Sequence, residues 1–475
     1  MTLNLRQSAS SLRQQCLTYP EILAQSVADI GPAAMVSVTI PLVFANAGKG
    51  SWFAYLIATV GLVLVSLNIK QFARRSASPG GLYAYIARGL GATTGVISGW
   101  ALLLAYLGTA MTILAGFAIS ANLVFSALSF QAPPIVLYAV CAGLAWFYAY
   151  TDIQLSAVLM LILELTSVGL ILVLVLLVLL GHGLTIDSTQ ISLAGVSPEG
   201  LRLGLVLAIF SYVGFESATT LGDEAKKPLR FIPQALIWST VLAGIFFILL
   251  SYTEVLGFSG SKTSLDKSNV PLSVLAEIAG VQWLGILISV GVTLSFFTCT
   301  LAAVNAGART LYAMTRHGLF NSSIGRVHQK NETPHVAVTV SALLVFLVPA
   351  SMSLAGIQVL DIYGYLGTIA TYGFLLVYIL VSIAAPVYLH QLGRLRSGNV
   401  AIAVLATIFM MIPIVGSLYP VPPAPYNRLP YLFLVYLAVG AGWFFLLRLR
   451  SPKIIQQIEQ DLEAVHNKHS TPAAS

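Results

Sequence analysis

The residues best suited to chemistry stand at two interruptions of apolar segments. Gly31 and Pro32 interrupt the segment 27–47, and Gly214 interrupts the segment 203–222. Proline cannot donate a backbone N–H and glycine weakens a helix, so a helix through either place is expected to break. A broken helix leaves N–H groups unpaired where its second half begins and C=O groups unpaired where its first half ends. Such groups bind charged ligands without any charged side chain.

The two interruptions offer partial charges of opposite sign to one ligand. N–H groups near Ala33, Ala34 and Met35 are placed to receive a carboxylate, whereas carbonyls in 28–30 and 212–214 are placed to receive an ammonium. A ligand that carries both groups is an α-amino acid. The predicted substrate-binding residues, which include an aromatic side chain one turn before the second interruption, are Ile30, Gly31, Pro32, Ala33, Ala34, Phe210, Tyr212, Val213 and Gly214.

Acidic side chains inside apolar segments are costly in a bilayer and are therefore candidates for function. Glu216 follows the Gly214 interruption and either loads and releases a proton or is a protonated carboxyl bonded to freed backbone. Glu164 either ties the fifth segment to the first or takes part in proton coupling. Asp29 is a ligand-side acid or a polar group beside the break, and Asp361 lies near enough to the outer end of its segment to reach headgroups. We predict proton coupling at Glu216 and Glu164.

Composition identifies the solvent of this chain as lipid. Of its 475 residues, 9% are charged and 57% are apolar, whereas a soluble domain has about 25% charged residues. This excludes a soluble enzyme, a disordered protein and a disulfide scaffold. Apolar segments of about 20 residues, enough to cross a bilayer, recur along the chain. They are 27–47, 52–72, 95–121, 133–150, 155–181, 203–222, 234–257, 283–312, 335–355, 359–389, 400–419 and 430–448.

Backbone groups cannot remain unpaired in lipid, so each segment is expected to be a helix. The sequence therefore predicts an all-α integral membrane protein with twelve transmembrane helices. The two interrupted helices are the first and the sixth, five positions apart in the chain. Because this number is odd, the second half is inverted in the membrane, and helices one to five and six to ten are predicted to be inverted repeats. The predicted parts are a tail (1–26), a ten-helix transport core (27–389) with repeats 27–181 and 203–389, two peripheral helices (390–450) and a second tail (451–475).

Basic residues set the orientation of the chain in the membrane. With the N-terminus inside, 19 of the 24 Lys and Arg residues lie in the predicted cytoplasmic segments, and the remaining five are Lys49, Arg202, Lys262, Lys267 and Arg428. The positive-inside rule then places both termini in the cytoplasm of a multi-pass protein of the cell membrane. The net charge of +7 follows this topology, so lipid and not nucleic acid is the expected partner.

Motifs for other classes of function are absent from the sequence. It has neither a phosphate-binding loop with its Lys nor a His pair at metal-ligand spacing inside an apolar segment. No cofactor and no metal are therefore expected. Energy for transport must come from an ion or substrate gradient, since one charge crossing 100 mV is worth about 2.3 kcal/mol.

Three segments carry a resemblance to the amino acid-polyamine-organocation (APC) permeases. Residues 78–85 read Ser-Pro-Gly-Gly-Leu-Tyr-Ala-Tyr, and residues 210–216 read Phe-Ser-Tyr-Val-Gly-Phe-Glu, continued by Asp-Glu-Ala-Lys-Lys-Pro at 223–228. Residues 309–320 read Arg-Thr-Leu-Tyr-Ala-Met-Thr-Arg-His-Gly-Leu-Phe. These resemble the segment between the second and third helices of that family, its sixth helix with the following loop, and the end of its eighth helix. Their order extends the resemblance over roughly 27–450.

The resemblance implies the LeuT fold of five plus five inverted helices and transport by alternating access. It implies that the substrate backbone binds at 31–34 and 213–214, with an aromatic gate at Phe210 and a coupling carboxylate at Glu216. The first helix departs from the Gly-small-Gly pattern of the family, because Pro32 and Ala33 follow Gly31. The fifth helix has Glu164 as its buried charge and not the Lys by which some members replace sodium, so a proton is favoured over sodium.

We therefore expect a permease, not an enzyme, that takes up amino acids by proton symport. Exchange of one amino acid for another and import of a polyamine are the alternatives within this class. From other classes, a membrane-embedded transferase would need clustered Asp or His with a metal or phosphate site, and a sensor would append a soluble output domain. Neither feature is seen in the sequence. The sequence does not select the substrate side chain or the oligomeric state.

Overall fold

The computed structural model describes residues 12–126, 129–268, 270–451, 455–456 and 458–461, and in this part the chain is helical, without a β-strand. Part of each predicted tail, including Arg6, Lys453, Ile454 and Lys468, lies outside the described residues. The α-helices of four or more residues are α1 (Tyr19–Ile30), α2 (Pro32–Ala47), α3 (Ser51–Ala73), α4 (Leu82–Leu90), α5 (Ala92–Ser126), α6 (Pro134–Thr151), α7 (Ile153–Gly181), α8 (Ser188–Ile191), α9 (Pro198–Phe210), α10 (Pro228–Gly257), α11 (Pro271–Ile278), α12 (Gln282–Arg316), α13 (His335–Leu354), α14 (Val359–Gln391), α15 (Ser397–Leu418) and α16 (Leu429–Arg450).

Ten helical stretches of the described chain are long and apolar enough to cross a membrane. The first of them, Tyr19–Ala73, contains α1, α2 and α3 together. The predicted sixth crossing is not among the ten because it is broken after α9, which has 13 residues. The all-α membrane class is confirmed, and the exact number of twelve crossings stays a prediction.

The first helix begins at Tyr19, eight residues before the first predicted apolar segment, which starts at residue 27. Thr18 caps this helix together with Glu21, whose carboxylate accepts the Thr18 N–H at 2.6 Å. Its polar residues face protein and not water or lipid: Gln25 donates to the carbonyl of Ala302 at 2.8 Å, and Ser26 accepts the Ala218 N–H at 3.0 Å. Hydropathy alone does not predict the part of this helix before residue 27, because hydropathy does not show which face of a helix is buried in protein.

The centre of the molecule is formed by α5, which packs along α14 and α12. Small residues allow these helices to approach closely. A Cβ added to Gly108 would lie 3.0 Å from Ala370, and one added to Gly116 would lie 2.3 Å from the ring of Phe296. In contrast, 17% of the most apolar stretch of α16 is buried, against 83% for α5. The helices α15 and α16 therefore lie at the periphery, in the place that the sequence predicted for helices eleven and twelve.

Several short elements between the crossings were not predicted. The segment between α10 and α12 contains a 3-10 turn (Leu265–Lys267) and the helix α11. The helix α4 precedes α5 and is separated from it by Gly91, whose φ of 89° lies in the region that favours glycine. The helices α11 and α4 pack on α12 and α5, and with 8 and 9 residues they are too short to cross a membrane, so apolar segments of about 20 residues do not indicate them.

Candidate functional site

The first interruption consists of a single residue, Gly31, between α1 and α2. Its φ of 60° and ψ of 59° are left-handed, which glycine adopts without the strain of a side chain. The space beside it is also restricted, since an added Cβ would lie 3.1 Å from the Cβ of Cys299 on α12. Pro32 then begins α2 in the first helical position, where its missing N–H costs nothing. The predicted break is therefore present, and it is tight.

The second interruption is longer and meets the first one. The helix α9 ends at Phe210, residues 211–216 form successive turns, and a 3-10 helix (Ser217–Leu221) follows. Gly214 has a φ of 94°, and an added Cβ would lie 2.8 Å from the Cγ of Asp29 and 3.0 Å from its carbonyl oxygen. The backbone of the sixth crossing thus touches the last turn of α1 at the position of the first break.

Most of the backbone groups expected to bind a ligand carboxylate have partners within the protein. The N–H of Ala34 donates to the Ser295 hydroxyl at 3.2 Å, and that of Met35 donates to the Gly31 carbonyl at 2.8 Å. Pro32 has no N–H. The remaining donor at this helix start is the N–H of Ala33, which is buried.

Several of the carbonyls expected to bind an ammonium are also occupied. The Asp29 carbonyl accepts the Cys299 thiol at 3.2 Å. In the second break, the Tyr212 carbonyl accepts the Phe215 N–H at 3.2 Å and the Gly214 carbonyl accepts the Ser217 N–H at 3.0 Å. Tight turns satisfy these groups locally, so fewer free dipoles remain than a simple broken helix would leave.

A small cavity lies beside the two breaks, between α5, α12 and α14. Its volume open to the centre of a water molecule is about 10 Å³, which is room for about one water. The space between these residues is therefore much smaller than an amino acid. Its lining residues are Asp29, Ile30, Met35, Thr109, Thr112, Ile113, Phe210, Val213, Cys299 and Gly367.

Three of the predicted binding residues, Ile30, Phe210 and Val213, line this cavity, whereas six others do not. The six are Gly31, Pro32, Ala33, Ala34, Tyr212 and Gly214. Phe210 is held against α14, since a Cβ on Gly367 would lie 3.2 Å from its Cζ.

Tyr212 points to α3 and away from the cavity. Its hydroxyl shares a hydrogen bond of 2.7 Å with that of Thr59 and donates to the Tyr55 carbonyl at 3.3 Å. Its ring lies edge-on to Phe247 of α10, with 5.0 Å between the centroids. Tyr212 thus anchors the second break to the helices behind it, and its side chain does not line the cavity.

Glu216 connects the second break to the central helices. Its Oε1 accepts the Tyr106 hydroxyl of α5 at 2.9 Å, and its Oε2 accepts the Tyr378 hydroxyl of α14 at 2.5 Å. The carboxyl is fully buried. Both hydroxyl partners come from helices that border the cavity, so a change of charge on Glu216 acts on both of them.

Asp29 is the acid nearest to the cavity. It is 1% exposed, it lines the cavity, and neither of its carboxylate oxygens has a hydrogen-bond partner among the described residues. Glu216 lies close enough to act on its charge. Of the two roles that the sequence left open, this position is the one expected for a ligand-side acid.

Glu164 connects α7 to the first break through α12. Its Oε1 accepts the hydroxyls of Ser295 at 2.8 Å and Thr298 at 2.5 Å, and Ser295 in turn accepts the N–H of Ala34. Its Oε2 has no partner in the described part of the chain. The tie between the fifth helix and the first helix that the sequence suggested is thus present, by way of one serine.

Sequence reasoning overlooked one buried acid inside a predicted apolar segment. Glu254, near the end of α10, is fully buried, and both of its oxygens lack a hydrogen-bond partner among the described residues. It stands inside the predicted segment 234–257, so the criterion that selected the other four acids applies to it as well.

The fold and the site together define a membrane transporter. The crystal structure of MhsT in complex with L-phenylalanine superposes on this chain with a TM-score of 0.59 at 14% identity, covering 85% of this chain and 99% of that one. This likeness confirms the LeuT-like fold. A broken first helix, a broken sixth helix and a closed cavity between them are the parts of that fold that hold a small molecule.

The family model for amino acid permeases matches residues 24–440, so the chain belongs to the amino acid permease family. Among its relatives, the branched-chain amino acid permease BcaP of Bacillus subtilis is 24% identical over 324 residues, 64% of this chain and 69% of that protein. The low-affinity putrescine importer PlaP of Escherichia coli is 28% identical over 309 residues, 62% of this chain and 66% of that protein. The predicted APC resemblance is confirmed, as are a multi-pass membrane protein and a permease in place of an enzyme.

Proposed function

We propose that the protein is a secondary transporter that carries small molecules with an amino group, amino acids first, by alternating access coupled to protons. One observation carries the proposal: the two helix interruptions meet beside a closed cavity lined by a buried carboxylate. Two relatives whose names include a branched-chain amino acid permease and a putrescine importer support the substrate class. Polyamine import is the second candidate, and the putrescine importer favours it.

Transport requires the cavity to open to each side in turn. A volume of about 10 Å³ holds no amino acid, so substrate entry must separate Phe210 from α14 and the first break from α12. Ile30 and Val213 line the substrate volume, and Gly31, Pro32, Ala33, Ala34 and Gly214 shape the backbone around it. The helix halves on either side of each break are the elements that tilt.

Glu216 and Glu164 are the proposed proton-coupling groups. Each carboxyl is buried and bonded to hydroxyls on other helices, so gain or loss of its proton changes hydrogen bonds between moving elements. Glu216 acts on the sixth crossing, and Glu164 acts on the start of α2 through Ser295. Sodium is the less favoured ion, because the one charged side chain within α7 is a titratable carboxyl, Glu164.

The test is uptake of labelled amino acids and polyamines into liposomes that contain the purified protein. An inward proton gradient should raise the initial rate for the accepted substrates, and a protonophore should remove this effect. A sodium gradient at constant pH should have no effect. Uptake that depends only on unlabelled amino acid inside the vesicles would show that the protein is an exchanger and not a symporter. The absence of uptake for every compound would contradict the proposal.

A further inference from the structure

We propose that Asp29 is the counter-ion of the substrate's amino group, and that the cavity prefers compounds of net positive charge to zwitterionic α-amino acids of the same shape. This inference rests on the proposed function and specifies its substrate class. It begins with the carboxylate itself: Asp29 is 1% exposed, lines the cavity, and neither of its oxygens accepts a hydrogen bond of good geometry among the described residues. The neighbouring hydroxyl, that of Ser217, donates to the Gln25 carbonyl at 3.3 Å. An isolated buried carboxylate is costly, and an ammonium ligand removes that cost.

The charges around the cavity favour a cation. None of its ten lining residues is Lys, Arg or His. A second acid, Glu216, is close enough to act on the charge of Asp29, and its two oxygens are already bonded to Tyr106 and Tyr378. The cysteine thiol of Cys299 is directed to the Asp29 carbonyl and leaves the carboxylate free. A positive ligand is therefore attracted by both acids, and a negative group on the ligand is repelled by both.

The binding place for a ligand carboxylate is reduced at the same time. At the start of α2, Pro32 provides no N–H, Ala34 donates to Ser295 and Met35 donates to Gly31. One donor, the N–H of Ala33, remains where a broken helix ordinarily offers three or four. A zwitterion thus gains one strong contact at Asp29 and brings a carboxylate that is poorly satisfied.

The rest of the cavity suits a short hydrocarbon body. Ile30, Met35, Ile113 and Val213 present apolar side chains, and Phe210 closes one side. The hydroxyl of Thr112 donates to the Gly108 carbonyl of its own helix, so it does not require a ligand partner. One charged end and an apolar body describe a primary amine.

Matched ligand pairs test this inference on the intact protein. Leucine and leucinamide have nearly the same shape, and the amide has lost the negative charge; phenylalanine and phenethylamine form a second pair, and ornithine and putrescine a third. Each compound competes against one labelled substrate for binding to the purified protein and for uptake into liposomes. In the wild type, the member of each pair that lacks the carboxylate should compete at a concentration about ten-fold lower, which corresponds to about 1.4 kcal/mol.

Substitution of the carboxylate should remove this preference. Asp29→Asn keeps the shape and should weaken competition by leucinamide and phenethylamine about ten-fold while changing that of leucine and phenylalanine little. Asp361→Asn, the same substitution outside the cavity on α14, is the control and should leave every ratio unchanged. If Asp29 served only as a proton carrier, Asp29→Asn would alter the pH dependence for all ligands and leave the ratios as they were.

The outcomes separate this inference from the proposed function. If the wild type binds and transports leucine in preference to leucinamide, the proposed role of Asp29 is wrong, whereas the proposed amino acid transport is supported. A protein that binds none of the compounds contradicts both. If Asp29→Asn is not monodisperse after purification, Asp29→Ser replaces it. The preference of the wild type within each ligand pair tests the predicted selectivity without any variant.

Discussion

At the residue scale, the buried carboxyls differ in what they are bonded to. Glu216 has two tyrosine hydroxyls and Glu164 has two aliphatic hydroxyls, whereas Asp29 and Glu254 have no partner among the described residues. A carboxyl held by fixed donors is positioned to change helix contacts when its charge changes. A carboxyl without donors is available to a ligand or a proton.

Replacement of Glu216 by Gln tests the coupling role. Gln keeps the size and one acceptor oxygen for Tyr106 or Tyr378 but cannot titrate, so the rise of uptake with external acidity should flatten and the maximal rate should fall about ten-fold. Initial uptake rates across external pH measure this. His317→Gln is the control, because burial lowers the pKa of His317 to about 4 and that ring stays neutral over the range used. A Glu216→Gln protein with an unchanged pH profile would remove Glu216 from coupling.

At the element scale, each break is held by contacts that are remote in sequence. The second break touches α1 through Gly214 and Asp29, and α2 is tied to α7 through Ser295 and Glu164. The helix-breaking residues of the two interruptions are visible in the sequence as local signals. The residues on α5, α12 and α14 that contact the interruptions are not visible in the sequence. Their side chains are of the same types as those that only pack between helices.

Gly214→Ala should abolish substrate binding at unchanged expression. The added Cβ would lie 2.8 Å from the Asp29 Cγ, and the φ of 94° is strained for any residue with a side chain by about 1–3 kcal/mol. Gly143→Ala on α6 is the matched control, since nothing lies within 4 Å of its added Cβ. Binding of a labelled substrate to purified protein compares the two. Normal binding by Gly214→Ala would show that the contact between the breaks is not required.

Ser295→Ala should destabilise the protein by removing the connection between α2 and α7. It leaves the Ala34 N–H without its acceptor and takes one donor from Glu164, with a cost of about 1 kcal/mol for each lost bond. Thermal unfolding of purified protein should show a midpoint lower by roughly 2–4 °C. Ser351→Ala, where an exposed hydroxyl bonds only to its own helix, should leave the midpoint unchanged. Equal midpoints for both variants would refute the connection.

At the scale of the whole molecule, composition and spacing predicted the class, the order of the helices and the positions of both breaks. These features depend on local chemistry: lipid requires helices, and Pro32 and Gly214 interrupt them. The start of the first helix could not be predicted, since Gln25 and Ser26 look like tail residues until their partners Ala302 and Ala218 are known. Glu254 could have been found by the rule already applied to Glu164.

One face of the molecule is closed by the segment before α1 and the connection before α10. The Leu17 N–H donates to the Glu224 carbonyl at 2.9 Å, and the Arg309 Nε donates to the buried Glu224 carboxylate at 2.8 Å. Burial raises the pKa of Glu224, and the charge of Arg309 opposes that rise. Arg13 adds a half-exposed ion pair of 2.6 Å with Asp152, of little energetic weight. We propose, from the positive-inside rule, that this face is cytoplasmic.

That assignment predicts which side of the membrane single cysteines face. In sealed cells, Lys262→Cys, in the exposed connection between α10 and α12, should react with a membrane-impermeant maleimide, whereas Arg394→Cys, exposed after α14, should react only after the membrane is opened. The wild type is the control: Cys16, Cys141 and Cys299 are buried, and burial raises the pKa of the Cys16 thiol to about 11, so it should label little in either case. The reverse labelling pattern would show that the protein has the opposite orientation in the membrane. The closed face with Glu224 and Arg309 would then be the outer one, and the direction of uptake would have to be assigned again.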